Sequence, residues 1–294
     1  MSFANLKKSS KKGSFADLTD KLRKENQKGG YEDNKGDYWR LEVEKKDGSG
    51  YAVIRFLPAS EGEEFPYIKK YTHSFKDSNT GKWYIQNSLT TLGQKDPVSE
   101  ANSELWNTGI ESNKNLARDR KRITKYVANI LVISDPKNPQ NEGKVFKYEF
   151  GPKIFQKIES AMAPEFQDEE AINPFDFWTG ANFKLKAINV AGQRSYDKSG
   201  FEAPSELLNG DDEALEKLWK TQFKLQEELA PDKFKSYDEL KAMFQRVTGT
   251  SSYEAPASQE APRVQRESQS VTASTSSDDG DDGDLSQYAS LLED

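Results

Sequence analysis

Residues 127–133, VANILVI, form an uncharged run rich in β-branched side chains within a chain that is 31% charged and only 34% hydrophobic. A short run this apolar, without polar alternation, fits a strand buried on both faces. Its flanks narrow the choice further. Six basic side chains lead into it (Lys114, Arg118, Arg120, Lys121, Arg122 and Lys125) against one acid, Asp119, and Tyr126 stands at the junction. After a proline-punctuated turn, VFKYEF at residues 145–150 alternates Val145, Lys147 and Glu149 with Phe146, Tyr148 and Phe150. A cationic segment feeding a buried strand, with tyrosines at the junction and on the partner strand, fits a surface for polyanions that carry flat bases.

Other classes are excluded by what the 294 residues lack. There is no cysteine, so disulfides, thiolate metal sites and cysteine nucleophiles are ruled out. His73 is the single histidine, which leaves any metal site to rest mainly on carboxylates. No apolar run reaches the roughly 18 residues of a membrane span, and MSFANLKKSSKK lacks the apolar segment of a secretory signal. The formal charge of -7 hides an asymmetry: residues 1–30 carry eight basic and three acidic side chains, residues 251–294 two basic and ten acidic. A basic arm (1–30), a mixed core (31–250) and an acidic tail (251–294) follow as the expected organisation.

Along the arm, Lys7, Lys8, Lys11 and Lys12 surround Ser9 and Ser10, and Ser14 precedes a short helical pattern with Phe15, Leu18 and Leu22 on one face. From residue 37 the period becomes that of strands: Trp39, Leu41 and Val43, then YAVIRFLP after a DGSG turn, then residues 65–75 with NTGKWYIQ as a hairpin return. Residues 87–113 show no period. Gly151-Pro152 opens a helix with Ile154, Phe155, Ile158 and Met162 on one face. ANFKLKAINV reads as a strand, DDEALEKLWKTQFKLQEEL as one helix, and SYDELKAMFQRV as a helix with a Ser236–Glu239 capping box. Beyond Thr250 the composition is too polar to offset the entropy of ordering, so the tail is expected to be disordered. Within it Asp281, Asp282 and Asp284 precede Leu285, Tyr288, Leu291 and Leu292, a spacing that suits a helix formed on contact with a partner. The whole reads as α+β: an oligonucleotide-binding-type five-stranded β-barrel core decorated with helices, flanked by a basic N-terminal arm and a disordered acidic C-terminal tail.

The strings YAVIRFLP, GKWYI, ELWNT, KRITKYVANILV, DPKNPQNEGKVFKYEFG, WTGANFKLK, SYDKSGF and DKFKSYDEL fall in order over roughly residues 38–249. In these the chain resembles the single-stranded DNA-binding (helix-destabilising) proteins of T-even-type bacteriophages. The resemblance implies an arm for cooperative head-to-tail self-association along single strands, with KKSSKKGSF in its place. It also implies a core that holds DNA, and an acidic tail for phage replication and recombination proteins, in the cytoplasm of an infected bacterium. By motif it puts strand-binding residues at Arg55, Trp106, Lys121, Arg122, Tyr126, Tyr148 and Tyr196. Gln193 and Ala117 fall where the family's pattern calls for aromatic rings, so a thinner stacking surface is expected.

The resemblance further implies a zinc subdomain of one histidine and three cysteines. His73, in YTHSF, sits in the histidine's place, but the segment for the cysteines reads NSLTTLGQKDPVSEAN. Without thiolates no four-ligand N/S site is expected. No cofactor is expected, residues 85–113 are held by packing or are flexible, and His73 is a remnant. The contrasting function is a metal-dependent nuclease built on scattered carboxylates. No P-loop, nucleophile elbow or HExxH arrangement supports an enzyme. Glu169-Glu170 and Asp211-Asp212 read as loop and helix-start charges.

Overall fold

The computed structural model describes residues 36–166 and 169–250. The roles expected of Lys7, Lys8, Lys11, Lys12 and Ser14 in the arm, and of Asp281, Asp282, Asp284, Leu285, Leu291 and Leu292 in the tail, lie outside the described residues. The VANILVI run lies inside a twelve-residue strand, β5 (Ile123–Ser134). Its residues 123–128 pair with β3 (Tyr67–Lys76), 126–131 with β6 (Val145–Phe150), and 130–134 with β2 (Gly50–Phe56), all antiparallel. Both faces are covered, as the absence of polar alternation predicts. Tyr126, Ala128, Ile130 and Val132 enter the main core with Ile54, Phe56, Phe150, Ile154, Ile158 and Phe183. Val127 and Leu131 enter two smaller clusters on the other side, with Ile68 and Leu225 and with Leu57 and Leu215.

The sheet continues through β7 (Phe183–Val190) on β2, with β8 (Gln193–Ser195) and β9 (Gly200–Phe201) on β7. β4 (Trp83–Asn87) returns along β3, and β1 (Tyr38–Trp39) runs parallel to β6. The class is α+β, but among the described residues the sheet has nine strands rather than five, and the path β1-β6-β5-β2-β7-β8 does not close. Two-residue strands leave no period in a sequence. The end of β3 is paired to β4 alone, running past β5 instead of curling back.

Among the described residues five α-helices decorate the sheet: α1 (Pro97–Asn107), α2 (Glu111–Asp119), α3 (Pro152–Met162), α4 (Asp212–Lys220) and α5 (Tyr237–Thr248). α3 begins with its proline and buries Ile154 and Ile158, and α5 carries the Ser236–Glu239 capping box, both as read from sequence. Asp211 caps α4, accepting from the N–H groups of Glu213 and Ala214. The helix stops at Lys220, short of the expected length. Phe223 is held by Asn129 of β5, whose amide donates to the Phe223 carbonyl (2.9 Å) and accepts from its N–H (3.2 Å). No helix among the described residues is long and apolar enough to cross a membrane.

The periodless residues 87–113 fold into a short 3-10 turn (Leu89–Leu92), α1 and the start of α2. The buried side of α1 is made of Val98, Ser99, Asn102 and Ser103, so polar residues occupy positions where a pattern search looks for apolar ones.

Buried and half-buried charge pairs brace the sheet. Arg120 donates to Asp77 at 2.8 Å, and Glu149 bridges Lys70 (3.0 Å) and Lys125 (2.8 Å). Burial alone would raise the Asp77 carboxyl. The N–H groups of Thr80 and Asn79 and the Arg120 guanidinium outweigh it and hold the group below 3.8. Burial likewise opposes, and Lys70 and Lys125 then lower, Glu149 below 4.5. Both carboxylates therefore bind protons more weakly folded than unfolded. Their stabilisation is complete above the unfolded values and is lost as pH falls through the folded ones. The melting midpoint, followed by circular dichroism, is expected to stay level down to about pH 5.5 and to fall below about pH 4. Asp77→Asn should lower it at neutral pH and flatten the acid slope; an unchanged slope would count against this account.

Candidate nucleic-acid interface

α1 and α2 are joined by a turn at Thr108-Gly109, where Gly109 adopts φ +72°, a conformation that penalises side chains. The Thr108 hydroxyl accepts from Ile110 N–H (3.3 Å) and from the Asn113 amide (3.1 Å), folding α2 back along α1. Lys114 and Arg118, four apart on one helical face, then lie over the half-buried Trp106 ring at 5.5 and 5.2 Å from its centroid. Arg118 also pairs with Glu111 at 2.8 Å.

A second pairing of ring and cations follows where α2 gives way to β5. Tyr71 of β3 is opposite Thr124, and the Arg122 guanidinium lies 4.1 Å from the Tyr71 ring centroid. Lys69, two residues along the same strand face, approaches the ring at 5.4 Å. Lys121 is exposed between the two groups in sequence. Neither Lys69 nor Tyr71 was singled out from sequence, although Lys69-Lys70-Tyr71 places cations before a tyrosine as Lys125-Tyr126 does.

Several residues expected at a DNA surface are elsewhere. Arg55 is 0% exposed; its Nη2 donates to the carbonyls of Asp176 (2.8 Å) and Ser205 (3.0 Å), so it braces loops inside the protein. Gly180 completes that pocket, since a Cβ there would lie 2.3 Å from the Asp176 oxygen. Tyr126 is 8% exposed and stacks on Phe155 at 3.8 Å. Tyr148, 5% exposed, packs edge-on to Trp39 at 5.4 Å. Burial pushes both phenols up, and neither ring offers a face to a base. Arg120 is buried on Asp77, and Lys125 is half-buried on Glu149. Tyr196 is half-buried against the main core. Ala117 is buried beneath the basic face of α2, whereas Gln193 is exposed. The expected surface therefore contracts to Lys114, Arg118, Lys121, Arg122 and Trp106, and gains Lys69 and Tyr71.

Residues 48–248 match the family model described as gp32 DNA binding protein like. The chain belongs to this family. It is 41% identical over 249 residues to the single-stranded DNA-binding protein of Enterobacteria phage T2, covering 82% of this chain and 80% of the relative. With the protein of the same description from Enterobacteria phage T4 the identity is 41% over 248 residues, 82% of this chain and 79% of the relative. A shorter relative so described, from Escherichia phage SV14, is 37% identical over 103 residues, 33% of this chain and 88% of its own length.

In this member of the family, core and surface tyrosines are separable by stability alone. Tyr126→Ala removes a ring stacked in the main core and is expected to cost about 3–5 kcal/mol in urea unfolding. Tyr71→Ala, at the rim, should cost about 1 kcal/mol or less. Equal losses would show that Tyr71 is as much a core residue as Tyr126.

Proposed function

We propose that this chain binds single-stranded DNA cooperatively and with little sequence preference, coating it and destabilising duplex during phage replication, recombination and repair. The observation that carries the reading is the run of cations set against the Trp106 and Tyr71 rings at the entry to β5. The family membership and the names of the relatives support the choice of ligand. Lysines and arginines there neutralise phosphates and release counterions, while the two rings serve as platforms for unpaired bases. Duplex cannot present its base faces, so single strands are favoured.

In the same reading the open sheet is a variant of the oligonucleotide-binding type. The arm around Lys7, Lys8, Lys11, Lys12 and Ser14 docks on the next copy along the strand. The acidic tail covers the basic surface when DNA is absent, and otherwise meets replication and recombination proteins through Asp281, Asp282, Asp284 and Leu285, Leu291 and Leu292. The chain acts as a binder without a metal cofactor, not as an enzyme, in the cytoplasm of the infected cell. The contrasting reading is a metal-dependent nuclease of the carboxylate type; among the described residues no group of three His, Cys, Asp or Glu is placed to hold a metal.

Titration of oligo-dT and of duplex, followed by intrinsic fluorescence across salt concentrations, tests the reading. Single strand should bind far more tightly, with log affinity falling by roughly 0.7 per neutralised phosphate against log salt. Tyr71→Ala and Trp106→Ala should each weaken oligo-dT binding by about 1–3 kcal/mol. Arg122→Ala should also reduce the slope by about 0.7. Duplex bound as tightly as single strand would overturn the stacking mechanism. Truncation after Thr250 is expected to tighten binding most at low salt; equal affinity at every salt concentration would remove the tail from the scheme.

A further inference from the structure

The chain's one histidine is not idle. His73, on β3, is 1% exposed, and its Nδ1 lies 2.9 Å from the carbonyl oxygen of Arg120, the residue that ends α2. A carbonyl only accepts, so Nδ1 carries a proton and donates it. The Asn102 amide of α1 donates to the same oxygen at 3.0 Å. On the other side of the ring, Nε2 lies 3.2 Å from Asp96 Oδ1 and 3.3 Å from the Ser99 hydroxyl. Asp96 is itself committed: Oδ1 caps α1 by accepting from the N–H groups of Val98 (3.0 Å) and Ser99 (3.1 Å), and Oδ2 accepts from Leu89 N–H (3.1 Å). One imidazole thus ties β3 to the start of α1, the 3-10 turn at Leu89–Leu92 and the end of α2.

The zinc that the family resemblance implies does not fit these residues. Thiolates are absent from the chain. His73 Nδ1 is occupied as a donor, and the Asp96 oxygens are occupied by backbone N–H groups. No cluster of three His, Cys, Asp or Glu is placed to hold a metal among the described residues.

We infer that His73 is a positioning residue: with Asn102 it pins the backbone of Arg120 by hydrogen bonds, in place of a metal, and so holds Lys121 and Arg122 in register for single-stranded DNA. The inference rests on the proposed reading of that surface. Arg120 is fixed twice, by its carbonyl and by its side chain on Asp77 (2.8 Å). The first ladder pair of β5, Ile123 with Thr72, lies three residues on. Lys121 and Arg122 therefore span a short tether between two rigid points. A basic segment ordered before binding loses little conformational freedom when phosphate arrives. Release of the Arg120 carbonyl would remove one of the two anchors at the α2 end of that segment and leave the Asp77 pairing as the other.

The test uses the full-length protein, with oligo-dT as the probe, at a temperature where circular dichroism shows each variant folded. His73→Phe removes both ring nitrogens and keeps a ring; Asn102→Ala removes one of the two donors and guards against a His73 variant that fails to fold. Each is expected to weaken oligo-dT binding about tenfold, the scale of one lost buried hydrogen-bond partner, and to lower the salt slope. In a double-mutant cycle, Lys121→Ala should cost less in the His73→Phe background than in the wild type, because the two act through one segment. Variants that melt earlier yet keep wild-type affinity and slope would overturn the inference, as would zinc at one equivalent by elemental analysis. If Lys121→Ala leaves wild-type binding unchanged, the reading of the surface fails instead, whatever the His73 variants do.

Discussion

A twelve-residue strand covered on both faces has little water for its backbone, so the N–H and C=O groups along β5 must be paired with other strands. That requirement organises the fold. No single neighbour spans the strand: β3 serves its first half, β2 its second, and β6 covers its middle. The hand-over from β3 to β2 leaves β3 free to continue into a hairpin with β4, against which α1 and α5 pack. The start of β5, where core cover runs out, is thereby placed beside the α1–α2 pair. The basic residues that precede the strand emerge at that junction because the strand's own pairing puts them there.

Much of this was legible in the residues. VANILVI announced burial on both faces because it has no polar alternation, and Pro152, Ser236 and Glu239 marked helix starts through backbone chemistry that is local by nature. Where distant partners decide, the pattern failed. α4 is shorter than its pattern predicts because Asn129, ninety-four residues away, captures the backbone of Phe223. Residues 87–113 gave no signal because their buried positions hold Ser99, Asn102, Ser103 and Asp96, whose burial is stabilised by hydrogen bonds rather than by transfer from water.

The candidate site was legible in residue type and not in face. Thr124 and Tyr126 share one side of β5, Arg122 continues that alternation just before the strand, and four residues of extended chain cover only about 13 Å. Phe155 of α3 covers that side at Tyr126, while Arg122 lies beyond on Tyr71. Alternation tells which residues share a side; where the covering helix ends is set by packing alone. Arg120 and Arg122, two apart, divide in the same way. One is desolvated against Asp77, a pairing whose cost is tolerable only because the acid is there, and the other is half-buried with its guanidinium over the Tyr71 ring.

A cation resting on a ring solves a problem that an empty aromatic platform creates. Exposed tryptophan or tyrosine faces beside like charges invite association with any apolar surface. The guanidiniums and ammoniums over Trp106 and Tyr71 cover those faces while the rings' negative potential eases repulsion among the cations. A single strand supplies better partners to both at once, since phosphate attracts the cation and a base takes the vacated ring. A free phosphate or a duplex satisfies only the cation, and an apolar surface only the ring. In the proposed function, a preference for single strands would come from the pairing of the two groups within about 5 Å of each other, which neither a basic patch nor an aromatic cluster has alone.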